Sequence, residues 1–501
     1  MKKGIKPITW TIAGSDSGGG AGIQADLKTM NALGAMGCSV ITALTAQNTL
    51  GITDVEFPSQ SMIAAQLSAL TADLPPAAVK IGMLGSAATI ETVVRHLAAM
   101  KAYTVFDPVM VSTSGHALFK PRAIDALIAQ LLPIVSLLTP NIAEAEALLG
   151  RVISSDPEVE AAAADLIKLG VKSVLIKGGH RKGALCSDFW TDGARKAWLS
   201  SRRQAVKHTH GTGCTLSAAI AACCALGYEE LDAVVLAKAY VNQGLRKGSD
   251  IGKGRGPLAH EGWPDSPDDL PQIDGPAEAP AFADCGDEPL GFYPIVDRAA
   301  WLEKLLPAGV RTIQLRVKDL RGAELESQVR AAVDCARRFD ARLFINDHWE
   351  LALRCKAYGV HLGQEDLPGA DLSALSKAGI RLGVSVRTYS EAARAKAVRP
   401  SCTAIGAIFA TGSKDIDYKP VGVEEFSRLR RLIAGPVVAI GGITLERAPE
   451  LAAAGADGVA VISDVVSAPD PLERARNWLE FWKERSPKPK AQSPKSKVSV
   501  H

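Results

Sequence analysis

Short apolar runs recur along the 501-residue chain, separated by longer stretches with a helical period. In the first half the runs are 8–13, 39–43, 78–83, 103–106, 136–138 and 173–176. Strand-like runs alternating with helical patterns predict a mostly parallel sheet covered by helices. The second half is more regular. Eight runs occur at 291–296, 311–315, 342–345, 359–362, 381–384, 404–409, 437–440 and 458–461, and a helix can be drawn after each. Eight βα units predict a small (β/α)8, or TIM, barrel. Polar residues follow most of these runs: Arg316, Asn346, Gln364, Ser385, Thr411, Gly441 and Ser463. That is the strand end at which such barrels carry their active sites.

Composition divides the chain. Residues 263–289 hold six prolines and eight acidic residues with no Lys or Arg, which predicts an extended, solvated linker. Residues 486–501 hold four lysines and no acids and read as a disordered, solubilising tail. The expected organisation is therefore a domain at 1–262, a linker at 263–289, a barrel at 290–485 and a tail at 486–501. The net charge of +3 gives no general case for binding nucleic acid or an anionic membrane. No run reaches the ~18 uncharged apolar residues of a membrane span, and the N-terminus does not read as a signal peptide. Nine cysteines without C-x-x-C spacing argue against a disulfide framework or a zinc site and for a reducing, cytoplasmic setting. Small molecules are the expected partners, and a homo-oligomer is left open.

Four clusters in the first half carry chemistry. AGSDSGGGAGIQAD follows the first run and leads into a helix. Gly20, Gly22 and Ala25 fit a dinucleotide fingerprint, but the acid that such a site needs is missing where the chain reads LTAQNT. The alternatives are a packing turn, or a turn that lets backbone approach a small ligand, with Asp26 and Gln47 as polar readers. In HGTGCTLS, Gly211, Thr212 and Gly213 open a helix whose free N–H groups suit an anion. Cys214 falls in the first turn, where the helix dipole is expected to lower its pKa; a buried structural thiol is the alternative. In TPNIAEAE, Asn141 and Glu144 lie three apart, either facing one site or forming a helix cap. Lys177 ends the strand VLIK before two glycines and suits a phosphate contact.

In the second half Gln314, Arg316 and Lys318 alternate and so share a face. Asp347 and Asp366 follow neighbouring strands and could share a magnesium ion, although Asp366 could equally cap the next helix. His361 reads as a packed core residue. Thr411, Ser413 and Lys414 share one loop, and AIGGI and VISD follow strands seven and eight, where barrels bind phosphate.

Residues from 8 to about 263 resemble the hydroxymethylpyrimidine/phosphomethylpyrimidine kinases of the ribokinase superfamily. The match runs through AGSDSGGGAGIQAD, TAQNT, VKIGMLG, DPVMVSTSGH, the N-x-x-E of TPNIAEAE, VLIKGGH and HGTGCTLS. The resemblance implies a three-layer α/β domain in which Asp26, Gln47 and Met83 hold the aminopyrimidine. Asn141, Glu144 and Thr212 would organise ATP and Mg²⁺, and Lys177 would neutralise ATP phosphates. Cys214 would be the base for the substrate hydroxyl, with Gly211 to Gly213 as the anion hole.

Residues from about 291 to 482 resemble thiamine-phosphate synthase through QLRVK, FINDHW, GVHLGQED, RLGVS, GSK, AIGGI and AVIS. This implies that Arg316, Lys318, Asn346 and Lys414 grip pyrophosphate, and that Asp347 and Asp366 hold Mg²⁺. Gln314 and Ser385 would complete the pyrimidine diphosphate site, while Thr411, Ser413, Gly442, Ile462 and Ser463 would receive thiazole phosphate. Ala410 departs from the proline usual in that family's P-T-x-T-K loop. Together the halves imply a bifunctional enzyme, because the product of the first is the substrate of the second. A kinase for pyridoxal or another hydroxymethyl heterocycle and a ligand-sensing protein built from enzyme domains are the rival readings.

Overall fold

The computed structural model describes residues 6–110, 121–179, 181–275, 281–411 and 419–485. The chain divides into two compact units, one mainly from residues up to 279 and the other mainly from 280 onward.

The first unit is built on one sheet of strands β1 (Ile8–Gly14), β2 (Met36–Asn48), β3 (Gly51–Glu56), β4 (Ala78–Ile81), β5 (Tyr103–Phe106), β6 (Leu137–Leu138), β7 (Ser173–Ile176), β8 (Leu185–Thr191), β9 (Lys196–Arg202) and β10 (Gln272–Ile273). Their spatial order is β10-β9-β8-β7-β6-β5-β4-β1-β2-β3. The central strands β2, β1, β4, β5, β6 and β7 are parallel. β4 and β7 are buried along their whole length, as strands covered by helices on both faces must be. Both margins are antiparallel: β3 on β2, and β8, β9 and β10 beyond β7. A mostly parallel sheet therefore describes only the centre. The marginal strands lack continuous apolar runs; Lys196–Arg202 buries every second residue, like a strand with one wet face.

β1 lies between β2 and β4, so successive connections leave it on opposite sides. That arrangement opens a crevice at the carboxyl ends of the parallel strands, the usual ligand position in open α/β sheets.

In the second unit β11 (Gly291–Val296), β12 (Thr312–Leu315), β13 (Arg342–Asn346), β14 (Gly359–Leu362), β15 (Arg381–Val386), β16 (Cys402–Ile405), β17 (Val437–Ile440) and β18 (Gly458–Val461) close into a parallel barrel. β18 pairs back with β11. The sixth strand lies earlier than its apolar run at 404–409 suggests. After Ile405 the chain crosses to the end of β17, where Ile408 N–H donates to Ile440 O (2.9 Å) and Phe409 N–H to Gly441 O (3.0 Å).

In its described parts, 263–275 and 281–289, the acidic, proline-rich stretch is not the solvated spacer its composition predicts. Asp269 is buried and paired with Arg246 (2.7 Å), and Gln272–Ile273 adds β10 to the first unit's sheet. On the other side Phe282, Cys285 and Leu290 are buried in the second unit. Arg342 donates to the carbonyls of Cys285, Glu288 and Pro289, and Arg381 to that of Asp284. Proline removes donors but leaves carbonyls, and arginine side chains satisfy them here. Among the described residues, no helix is long and apolar enough to cross a membrane.

Candidate active sites

A cavity of about 1010 Å³ opens at the strand ends of the first unit. Gln47, Met83, Asn141, Glu144, Lys177, Cys214 and the run Gly211–Thr212–Gly213 all line it. Asp26 does not. It lies fully buried behind the wall, where its Oδ2 accepts from Thr11 (2.6 Å) and from Lys80 Nζ (2.7 Å). Lys80 reaches the wall instead. Burial alone would lower the Lys80 pKa, but the Asp26 carboxylate outweighs it and keeps the ammonium protonated.

The glycine-rich turn is organised by Asp16. Its Oδ1 accepts from Gly18 N–H (2.8 Å) and its Oδ2 from Gly20 (3.0 Å) and Ala21 (2.8 Å). His210 Nε2 lies 3.1 Å from the same Oδ2 and 3.1 Å from Gln47 Nε2. Burial would raise the Asp16 pKa, but these donors hold it below the ordinary carboxylate value. The two glycine loops meet in backbone contact: a Cβ on Gly211 would lie 1.9 Å from Gly20 O. The turn is thus packed against the second glycine loop, and its Asp16, Ala21 and Gly22 also line the cavity.

Gly211, at φ 79°, caps the helix Thr212–Ala225, and Cys214 occupies its first turn. The position is the expected one, but the pKa is not. Burial pushes the Cys214 thiol up to about 11, despite Lys80 nearby and a hydrogen bond from Gly22 N–H. The dipole of a helix end falls off quickly and does not repay the desolvation of a thiolate in the cavity wall.

Asn141 and Glu144 form a reciprocal cap on the helix Ile142–Leu149, with bonds of 2.9 and 2.7 Å. The cap also delivers the carboxylate to the cavity, so both readings of this pair hold. Lys177 Nζ lies 2.6 Å from Asp107 Oδ1 and 3.8 Å from Glu144 Oε2. Burial, and the neighbouring Asp107, push Glu144 up to about 7, although Lys177 opposes them. Asp107, Lys80, Asp16 and His210 were not singled out in the sequence. The signals were there: a lysine inside the apolar run of β4, and an acid directly after β5.

In the second unit the polar residues gather at the strand ends. Asp347 follows β13 in the left-handed region (φ 63°) and its N–H donates to His361 O (3.0 Å). Burial and the charge of Asp366 raise the Asp347 pKa, while Lys318 and Arg316 draw it down. These four groups therefore share one field. Asp366 also accepts from Gly363 N–H (3.0 Å), a local turn contact. His361 is buried, as expected; burial pulls its pKa down to about 4, and its Nε2 lies 2.8 Å from Ser385 Oγ. Gln314 is buried on β12, with Tyr293 OH 3.4 Å from its amide. Gly441 and Gly442 both have positive φ, and a Cβ on Gly442 would lie 2.4 Å from Ala410 O. Ile462 and Ser463 open a four-residue helix after β18. Thr411 is a half-buried loop residue directly after Ala410, whereas Ser413 and Lys414 lie outside the described residues.

A ribokinase-like open sheet, whose crevice is lined by two glycine loops and a helix N-terminus, followed by a closed TIM barrel, is the architecture of a kinase joined to a transferase. The sequence pattern of the phosphomethylpyrimidine kinase family matches residues 16–259, and that of thiamine monophosphate synthase matches residues 292–465. The chain is 36% identical over 500 residues to the Arabidopsis thaliana thiamine biosynthetic bifunctional enzyme TH1, chloroplastic, covering 95% of this chain and 93% of that protein. It is 49% identical over 256 residues to the hydroxymethylpyrimidine/phosphomethylpyrimidine kinase of Rhizobium meliloti, covering 50% of this chain and 96% of that protein. It is 53% identical over 182 residues to the thiamine-phosphate synthase of Klebsiella pneumoniae, covering 36% of this chain and 86% of that protein. The chain belongs to the family of bifunctional thiamine biosynthetic enzymes, which join a hydroxymethylpyrimidine/phosphomethylpyrimidine kinase to a thiamine-phosphate synthase.

Proposed function

We propose that the first unit uses ATP to phosphorylate hydroxymethylpyrimidine and then its monophosphate, with the residues lining its cavity in the following roles. Gln47 and Met83 hold the aminopyrimidine, and Asp26 acts through Lys80 rather than by contact. Cys214 takes the proton of the substrate hydroxyl, while the N–H groups of Thr212 and Gly213 face the transferred phosphoryl group. Lys177 neutralises ATP phosphates. The juxtaposition of Lys177, Asp107 and Glu144 beside the anion hole carries this reading.

In the barrel, Arg316, Lys318, Asn346 and Lys414 hold the pyrophosphate as it leaves the pyrimidine methylene. Gln314 and Ser385 orient the ring. Thr411, Ser413, Gly442, Ile462 and Ser463 seat thiazole phosphate so that its nitrogen attacks. No general base is needed, because the electron-rich aminopyrimidine supports the developing cation.

Both sites suit Mg²⁺. Asp347 and Asp366 repel each other, and two carboxylates face one lysine in the kinase cavity, so each site has a place for a cation. Among the described residues, no cluster of three or more His, Cys, Asp or Glu could hold a metal, which fits an ion that keeps waters and substrate phosphates as ligands. When bound, magnesium supplies charge neutralisation at the phosphates; Asp347, Asp366 and Glu144, with Asn141, would hold it. Small molecules are the partners in this reading. None of the nine cysteines forms a disulfide, and six are buried, which supports a cytoplasmic setting.

The deciding experiment incubates the full chain with hydroxymethylpyrimidine, ATP, Mg²⁺ and thiazole phosphate. Thiamine phosphate is the expected product, lost with a chelator and restored by Mg²⁺. Accumulated pyrimidine diphosphate would refute the barrel roles, and an unphosphorylated pyrimidine the kinase roles.

A further inference from the structure

The kinase cavity contains a second buried ion pair that the roles above leave unused. Asp188 on β8 and Lys238 on the helix Glu230–Lys247 are both buried and line the wall. Lys238 Nζ lies 2.5 Å from Asp188 Oδ2. The other carboxylate oxygen, Oδ1, accepts from Gly178 N–H at 2.8 Å. Gly178 directly follows Lys177, and a Cβ on it would lie 1.9 Å from Ser187 O, so this turn is pressed against the backbone of β8.

We infer that Asp188 is a positioning residue for Lys177, and that Lys238 serves to hold the Asp188 carboxylate in place inside the protein. Lys177 is held on both sides. Its own N–H donates to Pro140 O (2.8 Å), which ties it to the segment bearing Asn141, and the next peptide N–H is held by Asp188. The ammonium then meets Asp107 at 2.6 Å and stands over the anion hole, where a Cβ on Gly213 would lie 3.3 Å from it. A lone buried carboxylate is expensive, and an ion pair is seldom the most stable filling for such a space. Its geometry makes sense as a clamp: one oxygen neutralised, the other aimed at the peptide after the phosphate-binding lysine. A turn of Gly178 and Gly179 has little stiffness of its own. Arg203 supplies a further grip, donating to Gly179 O (2.8 Å) and Gly183 O (2.9 Å).

The inference rests on Lys177 as the ATP-phosphate ligand, so its test includes Lys177→Ala. The full chain is assayed for both phosphorylation steps, with synthase activity on supplied pyrimidine diphosphate as an internal control. Two charge-neutral pairs separate the clamp from bulk stability: Asp188→Ala with Lys238→Met removes the acceptor for Gly178 N–H, and Asp188→Asn with Lys238→Met keeps one. The alanine pair is expected to raise the KM for ATP about tenfold in both steps, leaving the KM for the pyrimidine and the synthase rate unchanged. The asparagine pair is expected to stay near the native ATP KM. A merely structural role would lower the melting temperature of both pairs alike and leave the ATP KM alone. A native ATP KM in the alanine pair overturns the inference, as does an equal rise in the two pairs. If the alanine pair does not fold, an ATP KM raised in the asparagine pair as far as in Lys177→Ala overturns it as well. If Lys177→Ala itself leaves the ATP KM unchanged, the reading of Lys177 fails instead.

Discussion

A cysteine in the first turn of a helix is usually associated with an activated thiolate, and Cys214 shows how far burial can reverse that. With its thiol pushed up to about 11, roughly one molecule in a thousand carries the thiolate at pH 8. If the thiolate accepts the hydroxyl proton, the first phosphorylation should climb with pH between 7 and 10, and Cys214→Ala should abolish the climb. The second phosphorylation, whose nucleophile is a phosphate oxygen, should lose much less. A flat native profile over that range, or equal losses in the two steps, would remove Cys214 as base. Asp16 gives the opposite case. Its lowered pKa means that its contribution is present above the unfolded value of 3.8 and is lost as pH falls through the folded value. At neutral pH, Asp16→Ala should cost the kinase unit on the order of 2 kcal/mol and raise the pyrimidine KM, because Gly18, Gly20, Ala21 and His210 lose one acceptor together. Melting curves and substrate titration measure the two effects; an unshifted KM would separate the turn from the site.

At the level of elements, the barrel mouth depends on a crossing where no side chain fits. Gly442→Ala places a methyl against Ala410 O and Phe409 in a backbone region that already disfavours it. Synthase activity should fall at least tenfold while both kinase steps continue, a comparison that one protein preparation provides. The two sheets also show what a one-dimensional pattern can carry. Strands buried on both faces, such as Gly458–Val461, announce themselves as unbroken apolar runs, and Ala78–Ile81 does so but for its buried Lys80. Strands with one wet face, such as Lys196–Arg202, do not; β8 is instead interrupted by Ser187 and the buried Asp188, and β10 is only two residues long. The site was legible where a motif places a residue on a strand end or helix start, as with Lys177, Cys214 and Asp347. It was not legible where a role depends on a partner far along the chain. Asp26 finds Lys80, Asp16 finds His210 and Asp188 finds Lys238 only once the sheet has formed.

For the molecule as a whole, two consecutive reactions on one chain raise the question of whether the intermediate is handed over or released. A mixture of two chains, one with its kinase half slowed by Lys177→Ala at limiting ATP and one with its synthase half disabled by Asp347→Ala, should make thiamine phosphate faster than either alone, since each retains the half the other lacks. A gain in the mixture would show that pyrimidine diphosphate travels through solution; no gain, with each half active alone, would show that it does not.

The short strand β10 has a practical corollary. Gln272–Ile273 pairs with Leu199 and Ser200 of β9 and so covers the rim of the kinase sheet. A kinase half ended at residue 262 would leave that rim bare, offering unsatisfied amide and carbonyl groups to any neighbouring chain. Ended at Gly275, the same half keeps its own cover. The shorter fragment should self-associate in light scattering where the longer stays dispersed, so the stretch that looks like a spacer between two enzymes also serves as a hem.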